Sequence, residues 1–239
     1  MREKEAGNLK QSFINRIVGQ ILSGTLKPGD RLLPERELAA CCGISRGSVN
    51  QGILDLERMG FLSIVPRKGT FVSDYLKNAT PSTVSAIMSY DSDYISGALF
   101  RDLMELRILV ERECVRLSCA RINDRNTALL REKNGAIYSA SDSELADAVY
   151  DYHRCITEIS GNAAYAMIFR SFEKMMRRLI RIHFEDREEA KGCIGRYSDL
   201  TASIAAGNCE AADREISEIL GRASVYLNTL LAEKDGSND

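Results

Sequence analysis

No window of this 239-residue chain approaches the roughly 18–20 consecutive apolar residues that a membrane span needs. The opening residues MREKEAGNLK lack the apolar core of a signal peptide, so neither insertion nor export is expected. Seven cysteines, an odd number at irregular spacings, do not make a disulfide framework and fit a reducing cytoplasm. The adjacent Cys41-Cys42 invites a redox or metal reading, but one of the two is expected to pack in a core. Low-complexity tracts and internal repeats are missing. So are nucleophile motifs, phosphate-binding glycine loops and metal-ligand clusters, which leaves no enzyme class to argue for.

What remains is long enough for one small and one mid-sized domain. The charge is divided between them. Residues 1–78 carry twelve Lys+Arg against eight Asp+Glu, whereas residues 79–239 carry twenty against twenty-six. A basic head on an acidic body fits one face for nucleic acid and another that stays away from it.

Residues 28–72 explain the basic head. Leu38, Ala39 and Cys42 recur at helical spacing after Pro34, a residue tolerated at a helix start, and Gly43 ends that helix. Ser45 is placed to cap a second helix whose inner stripe is Val49, Ile53 and Leu56. Gly60 closes it. Residues 61–65 and 70–72 are β-rich runs around a Pro66-Arg67-Lys68-Gly69 turn. Two helices joined by a short glycine turn and followed by a hairpin describe a winged helix-turn-helix.

With Val49, Ile53 and Leu56 inward, Arg46, Gly47, Ser48, Asn50 and Gln51 fall at the exposed start of the second helix. This is the part of a recognition helix that enters the major groove. Arg pairs bidentately with guanine, and Asn or Gln with adenine. Free N–H groups at the helix start attract phosphate. Arg67, Lys68 and Gly69 would set the wing tip against a flanking groove or phosphate. The bland alternative for each residue is a solvated helix face or a polar turn; the ordered set favours double-stranded DNA.

Glu35-Arg36-Glu37-Leu38-Ala39, Gly43, Ser45-Arg46, Val49, Leu56, Gly60 and Gly69-Thr70-Phe71-Val72 resemble the DNA-binding domain of GntR-type bacterial repressors. The resemblance implies DNA contacts by Arg36, Arg46 and Ser48. Two positions depart from the pattern: Asn50 stands where a base-reading Arg is usual, and Gly47 where Thr or Ser is common.

Elsewhere the period is helical. Phe13, Ile14, Ile17, Val18, Ile21 and Leu22 make residues 9–23 an amphipathic helix. After the wing, residues 75–97 read as a connector with a short apolar helix near 84–88. From Ala98 onward, helices are expected over 98–121, 124–140, 144–159, 163–183, 188–206 and 209–231. The stripe of the fourth is Tyr165, Ile168, Phe169, Phe172, Met176 and Leu179. The fold class is therefore mainly α, an N-terminal winged helix-turn-helix (1–74) followed by an all-α antiparallel helical bundle (98–233).

Leu106-Arg107…Glu111, Tyr152-His153, Ser160-Gly161-Asn162 and Ala206-Gly207-Asn208 are similar, in order, to the helical effector domain of the FadR branch of these repressors. That resemblance implies a homodimeric, cytoplasmic regulator, without enzymatic activity, whose bundle binds a small effector and alters affinity for an inverted-repeat operator. Many members of the branch hold a divalent metal with one Asp and three His. Here the aligned positions are Val149, His153, Tyr197 and a place near Ile219, so no metal and no other cofactor is expected. The members that bind fatty acyl-CoA have also lost this site. Arg107, His153, Arg178 and Tyr197 are the candidate effector-binding residues, and Arg favours an anionic effector, acyl-CoA or a small organic acid. An architectural DNA-binding protein without a ligand is the alternative.

Overall fold

Phe13, Ile14, Ile17, Val18, Ile21 and Leu22 form one buried stripe along α1 (Arg2–Leu22), laid against α3 (Arg46–Arg58). The computed structural model describes residues 2–89 and 97–236. The chain divides into two units, Met1–Ser96 and Gly97–Asp239, described here one at a time. In the first, Gly52 of α3 lies under the Phe13 ring: a Cβ at that position would stand 2.6 Å from Phe13 Cδ1. Phe13 is buried and has no free space to retreat into, so overpacking follows. Gly52→Ala should lower unfolding free energy by about 1–3 kcal/mol, measured by urea titration. An unchanged midpoint would mean that the ring relaxes without cost.

α2 (Glu35–Cys42) begins after Pro34 and ends on Gly43, whose φ of 65° is the left-handed turn that glycine accepts without strain. Ser45 then caps α3, its Oγ accepting from the Ser48 N–H at 3.1 Å. Strands β1 (Leu62–Val65) and β2 (Gly69–Val72) pair antiparallel, with Leu62 opposite Val72 and Val65 opposite Gly69. Arg31 forms an isolated antiparallel bridge to Phe71.

The segment after the wing is seated on this unit. The Phe61 and Tyr75 rings lie 5.6 Å apart, and a Cβ on Gly60 would be 2.9 Å from the Asn78 carbonyl oxygen. In α4 (Pro81–Ser89) the buried Thr83 hydroxyl donates to the Met59 carbonyl, at the C-terminal cap of α3. Residues 90–96 of the expected connector lie outside the described residues.

The second unit consists, among the described residues, of α5 (Gly97–Arg121), α6 (Asp124–Ser139), α7 (Leu145–Ile159), α8 (Ala163–Ser171), α9 (Glu173–Glu185), α10 (Arg187–Ala205) and α11 (Cys209–Gly236). Ten of the fifteen residues of α7 are buried, which makes it the helix that the others surround. It packs on α5, α6, α8 and α9, while α11 runs along α5 and α10. Asn123, Asn162 and Asn208 each accept a backbone N–H at the start of α6, α8 and α11. None of the described helices is long and apolar enough to cross a membrane.

The single helix expected over 163–183 is two. Phe172 ends α8 with φ −91° and ψ 0°, and α9 starts afresh. Phe172 is itself buried, so the break keeps Phe169, Phe172 and Met176 on the core while α9 takes a new direction. Tyr165 and Ile168, expected inward, are half-buried and exposed respectively. In α5, Val110 is buried and Leu109 is 68% exposed, which settles which of those neighbours belongs to the inner stripe.

Candidate functional site

The first unit gathers its polar candidates on the α2–α3 side and at the hairpin tip. Arg36 is exposed on α2, and Arg46, Gly47 and Gln51 are exposed on the first two turns of α3. Ser48 is half-buried and already committed: its N–H and its hydroxyl both meet the Ser45 Oγ, the latter at 2.9 Å. Asn50 is half-buried as well, with Nδ2 donating to Glu35 Oε1 at 3.1 Å. Glu35 was not among the residues singled out from the sequence, yet it orients the amide in the middle of this surface. The only cue was that an acidic residue opens α2.

At the wing, Arg67 and Lys68 are exposed and Arg67 holds a left-handed φ of 64°. Gly69 has φ 120°, and a Cβ there would lie 2.9 Å from the Arg31 Nε. Arg31, also missed from the sequence, therefore brings a third cation to the hairpin. Its cue was weak, a lone Arg after a loop. Exposed Arg side chains around an N-terminal helix end can bind phosphate and read base edges together.

In the second unit three of the four candidate effector residues come together through a fourth group, Glu111. Arg107 Nε donates to Glu111 Oε1 at 2.6 Å, and the other carboxylate oxygen pairs with His153 Nδ1. On its far side, His153 Nε2 shares a hydrogen bond with the Tyr197 hydroxyl at 3.0 Å. All four residues are buried. Tyr152 extends the array, edge-on to Tyr197 and hydrogen-bonded to Thr201 at 2.8 Å.

Burial alone would raise the Glu111 carboxyl, but the charges of His153 and Arg107 and their hydrogen bonds overturn this and hold it down at about 2. Burial pushes the Tyr197 phenol well above its ordinary value, so the hydroxyl is a neutral partner for His153. Arg178, on α9 and half-buried, is not a member of this chain of hydrogen bonds. Glu111 was legible as part of Leu106-Arg107…Glu111, since its i+4 spacing from Arg107 sets the pair on one helix face.

Val149 and Ile219, two of the aligned metal positions, are buried apolar side chains. Among the described residues no group of three or more His, Cys, Asp or Glu could hold a metal ion. Arg107 and Glu111 also line a cavity of about 10 Å³ with Phe169, Phe172 and Met176. That is room for roughly one water. An effector of any size must part α5 from α8 and α9 to enter there.

Comparison with known proteins agrees with this layout. Residues 9–72 match the family described as bacterial regulatory proteins, gntR family, and residues 102–222 match the FCD domain. The HTH-type transcriptional regulator YcbG of Bacillus subtilis is 26% identical over 154 residues, 64% of this chain and 63% of YcbG, so this alignment spans less than two thirds of that relative. The fatty acid metabolism regulator protein of a Shewanella species is 27% identical over 194 residues, 80% of this chain and 78% of the relative. Among solved structures, Lar of Listeria monocytogenes shares the fold at a TM-score of 0.57 and 18% identity, covering 90% of this chain and 94% of Lar.

Proposed function

The chain belongs to the GntR family of bacterial regulatory proteins that carry an FCD domain, and on that premise we propose how its two units divide the work. It is a DNA-binding transcription regulator and not an enzyme. Arg46 and Gln51, with the Glu35-oriented Asn50, read base edges from the start of α3. Arg36, Ser45, Gly47 and Ser48 fix phosphates beside it, and Arg67, Lys68 and Gly69 hold the wing on the flanking duplex. The observation that carries this reading is the cluster of exposed Arg46, Gly47 and Gln51 at the capped start of α3. The protein acts in the cytoplasm as a homodimer, and a dimer places one such helix in each arm of an inverted repeat. Selection from a randomised duplex pool should enrich an inverted repeat; enrichment of no motif would overturn the assignment.

The FCD unit takes a small anionic effector at Arg107, His153 and Tyr197, with Arg178 on the neighbouring α9. An entering anion competes with Glu111 for Arg107 and forces the buried pair to rearrange, which couples occupancy to helix packing. Effector and operator then favour different states, and each lowers affinity for the other by the same factor. The Shewanella relative's name supports an acyl-CoA-type effector over a small organic acid. The size of the cavity favours one second reading, a DNA-binding protein without a ligand.

Thermal shift separates these readings, because any ligand that prefers the folded state raises the midpoint. Long-chain acyl-CoAs and small organic acids are added separately, with and without Zn or Mn. A metal-independent rise with acyl-CoA, absent in Arg107→Met, is the expected result. A rise that needs both organic acid and metal would contradict it.

A further inference from the structure

We propose that Cys209 and Cys119 form a dithiol that hydroperoxides oxidise to a disulfide, stapling α5 to α11 within the effector unit. Cys119 lies in the last turn of α5 and Cys209 opens α11. Their side chains hydrogen-bond to each other. Cys209 Sγ also lies 4.0 Å from the Arg116 carbonyl oxygen and 3.7 Å from that of Gly207, which seats it over the final turns of α5. The two thiols belong to segments ninety residues apart, so the contact is made by the fold.

Exposure assigns their roles. Cys119 is 5% exposed, and burial pushes its thiol up to about 12. Cys209 is half-buried and lines a cleft of about 480 Å³ shared with Arg112, Arg116 and Asp213, open to a small oxidant. The Arg116 guanidinium, paired with Glu113 at 2.6 Å, stands at this cleft as a nearby positive charge. A reactive thiol needs access and an electropositive setting, with a resolving thiol behind it. This cleft supplies all three. Cys114, Cys155 and Cys193 are buried.

Cys209, as the thiolate, attacks one peroxide oxygen and breaks the O–O bond, giving a sulfenic acid. The leaving oxygen takes a proton and departs as water or an alcohol. The Cys119 sulfur then attacks the Cys209 sulfur, the S–O bond breaks, and the hydroxide carries off the Cys119 proton as water. Two thiols have lost two electrons and two protons to one hydroperoxide.

The test is hydrogen peroxide treatment of the full chain, alkylation of remaining thiols, and tryptic digestion without reduction. Residues 117–121 and 197–214 form separate tryptic peptides with one cysteine each. The expected product is these two joined, two hydrogens lighter than their sum, and separated again by dithiothreitol. Cys119→Ser should instead leave Cys209 as a sulfenic acid that dimedone traps. Cys209→Ser should leave Cys119 alkylatable only after unfolding. Oxidised wild type should also unfold at a higher temperature, and oxidised Cys209→Ser should not. Cys209 driven to sulfinic acid with Cys119 still free, or cross-links confined to Cys41, Cys42 or a second molecule, would overturn the proposal.

Discussion

Arg46→Ala should erase the preference for operator over random DNA while leaving random-DNA affinity within a few-fold. A bidentate Arg–guanine contact is worth about 1–3 kcal/mol of discrimination, and a dimer loses it in both arms. Arg46 suits this role because its side chain is exposed on the first turn of α3 and its helix is held by the Ser45 cap and the buried Val49, Ile53 and Leu56. Lys68→Ala is the contrasting variant. At the wing tip it meets phosphate, so binding to every sequence should weaken by a similar factor, and the slope of log affinity against log salt should fall by about 1. Fluorescence anisotropy on operator and scrambled duplexes, at three salt concentrations, measures both. Equal losses on the two duplexes for Arg46→Ala would remove it from the base-reading set.

Glu111→Gln should have the largest effect on stability. It removes the one anion between two buried cationic partners, Arg107 and His153, and leaving such a charge uncompensated costs about 3–5 kcal/mol. Arg107→Met combined with Glu111→Leu removes charges of both signs and should recover much of that loss. The same carboxylate gives the wild type an acid limb. Its folded value of about 2 lies below the ordinary 4.5, so the unfolded chain binds its proton first as pH falls. The associated stability is complete above pH 4.5 and disappears as pH drops towards 2, about 3 kcal/mol in all. Denaturant midpoints between pH 5 and 2.5 should slope steeply for wild type and less for Glu111→Gln. Parallel slopes would place the acid sensitivity elsewhere.

The winged unit was readable residue by residue because its signals are local. Pro34, Gly43, Ser45 and Gly60 punctuate it at the chain positions where the helices start and stop. The helical unit was readable in number and approximate extent, for the same reason: Gly161 and Gly207 turn left-handed and the Asn residues that follow cap the next helix. The break at Phe172 had no such mark. No glycine or proline stands there, and an apolar stripe continues through it, so periodicity joins two helices that packing separates.

The candidate effector cluster divides similarly. Arg107, His153 and Tyr197 converge, but what joins them is Glu111, a buried acid that sequence reasoning treats as surface by default. Asn50 shows the same limit from the other side. Its type suggested a base contact, whereas its orientation depends on Glu35, fifteen residues earlier and on another helix.

The Thr83 hydroxyl that reaches back to Met59 has a consequence for how a signal arrives at α3. Thr83 also accepts from the Thr80 N–H at 2.8 Å, so one side chain closes α4 onto the joint between recognition helix and wing. Drawing α4 away strands the Met59 carbonyl and the Thr80 amide together, and the Asn78 carbonyl that rests on Gly60 must lift with them. Partial withdrawal loses the hydrogen bonds without admitting water to replace them, the most costly place to stop. The joint therefore behaves as a latch with two positions, and the head should answer in steps where a flexible tether would answer by degrees.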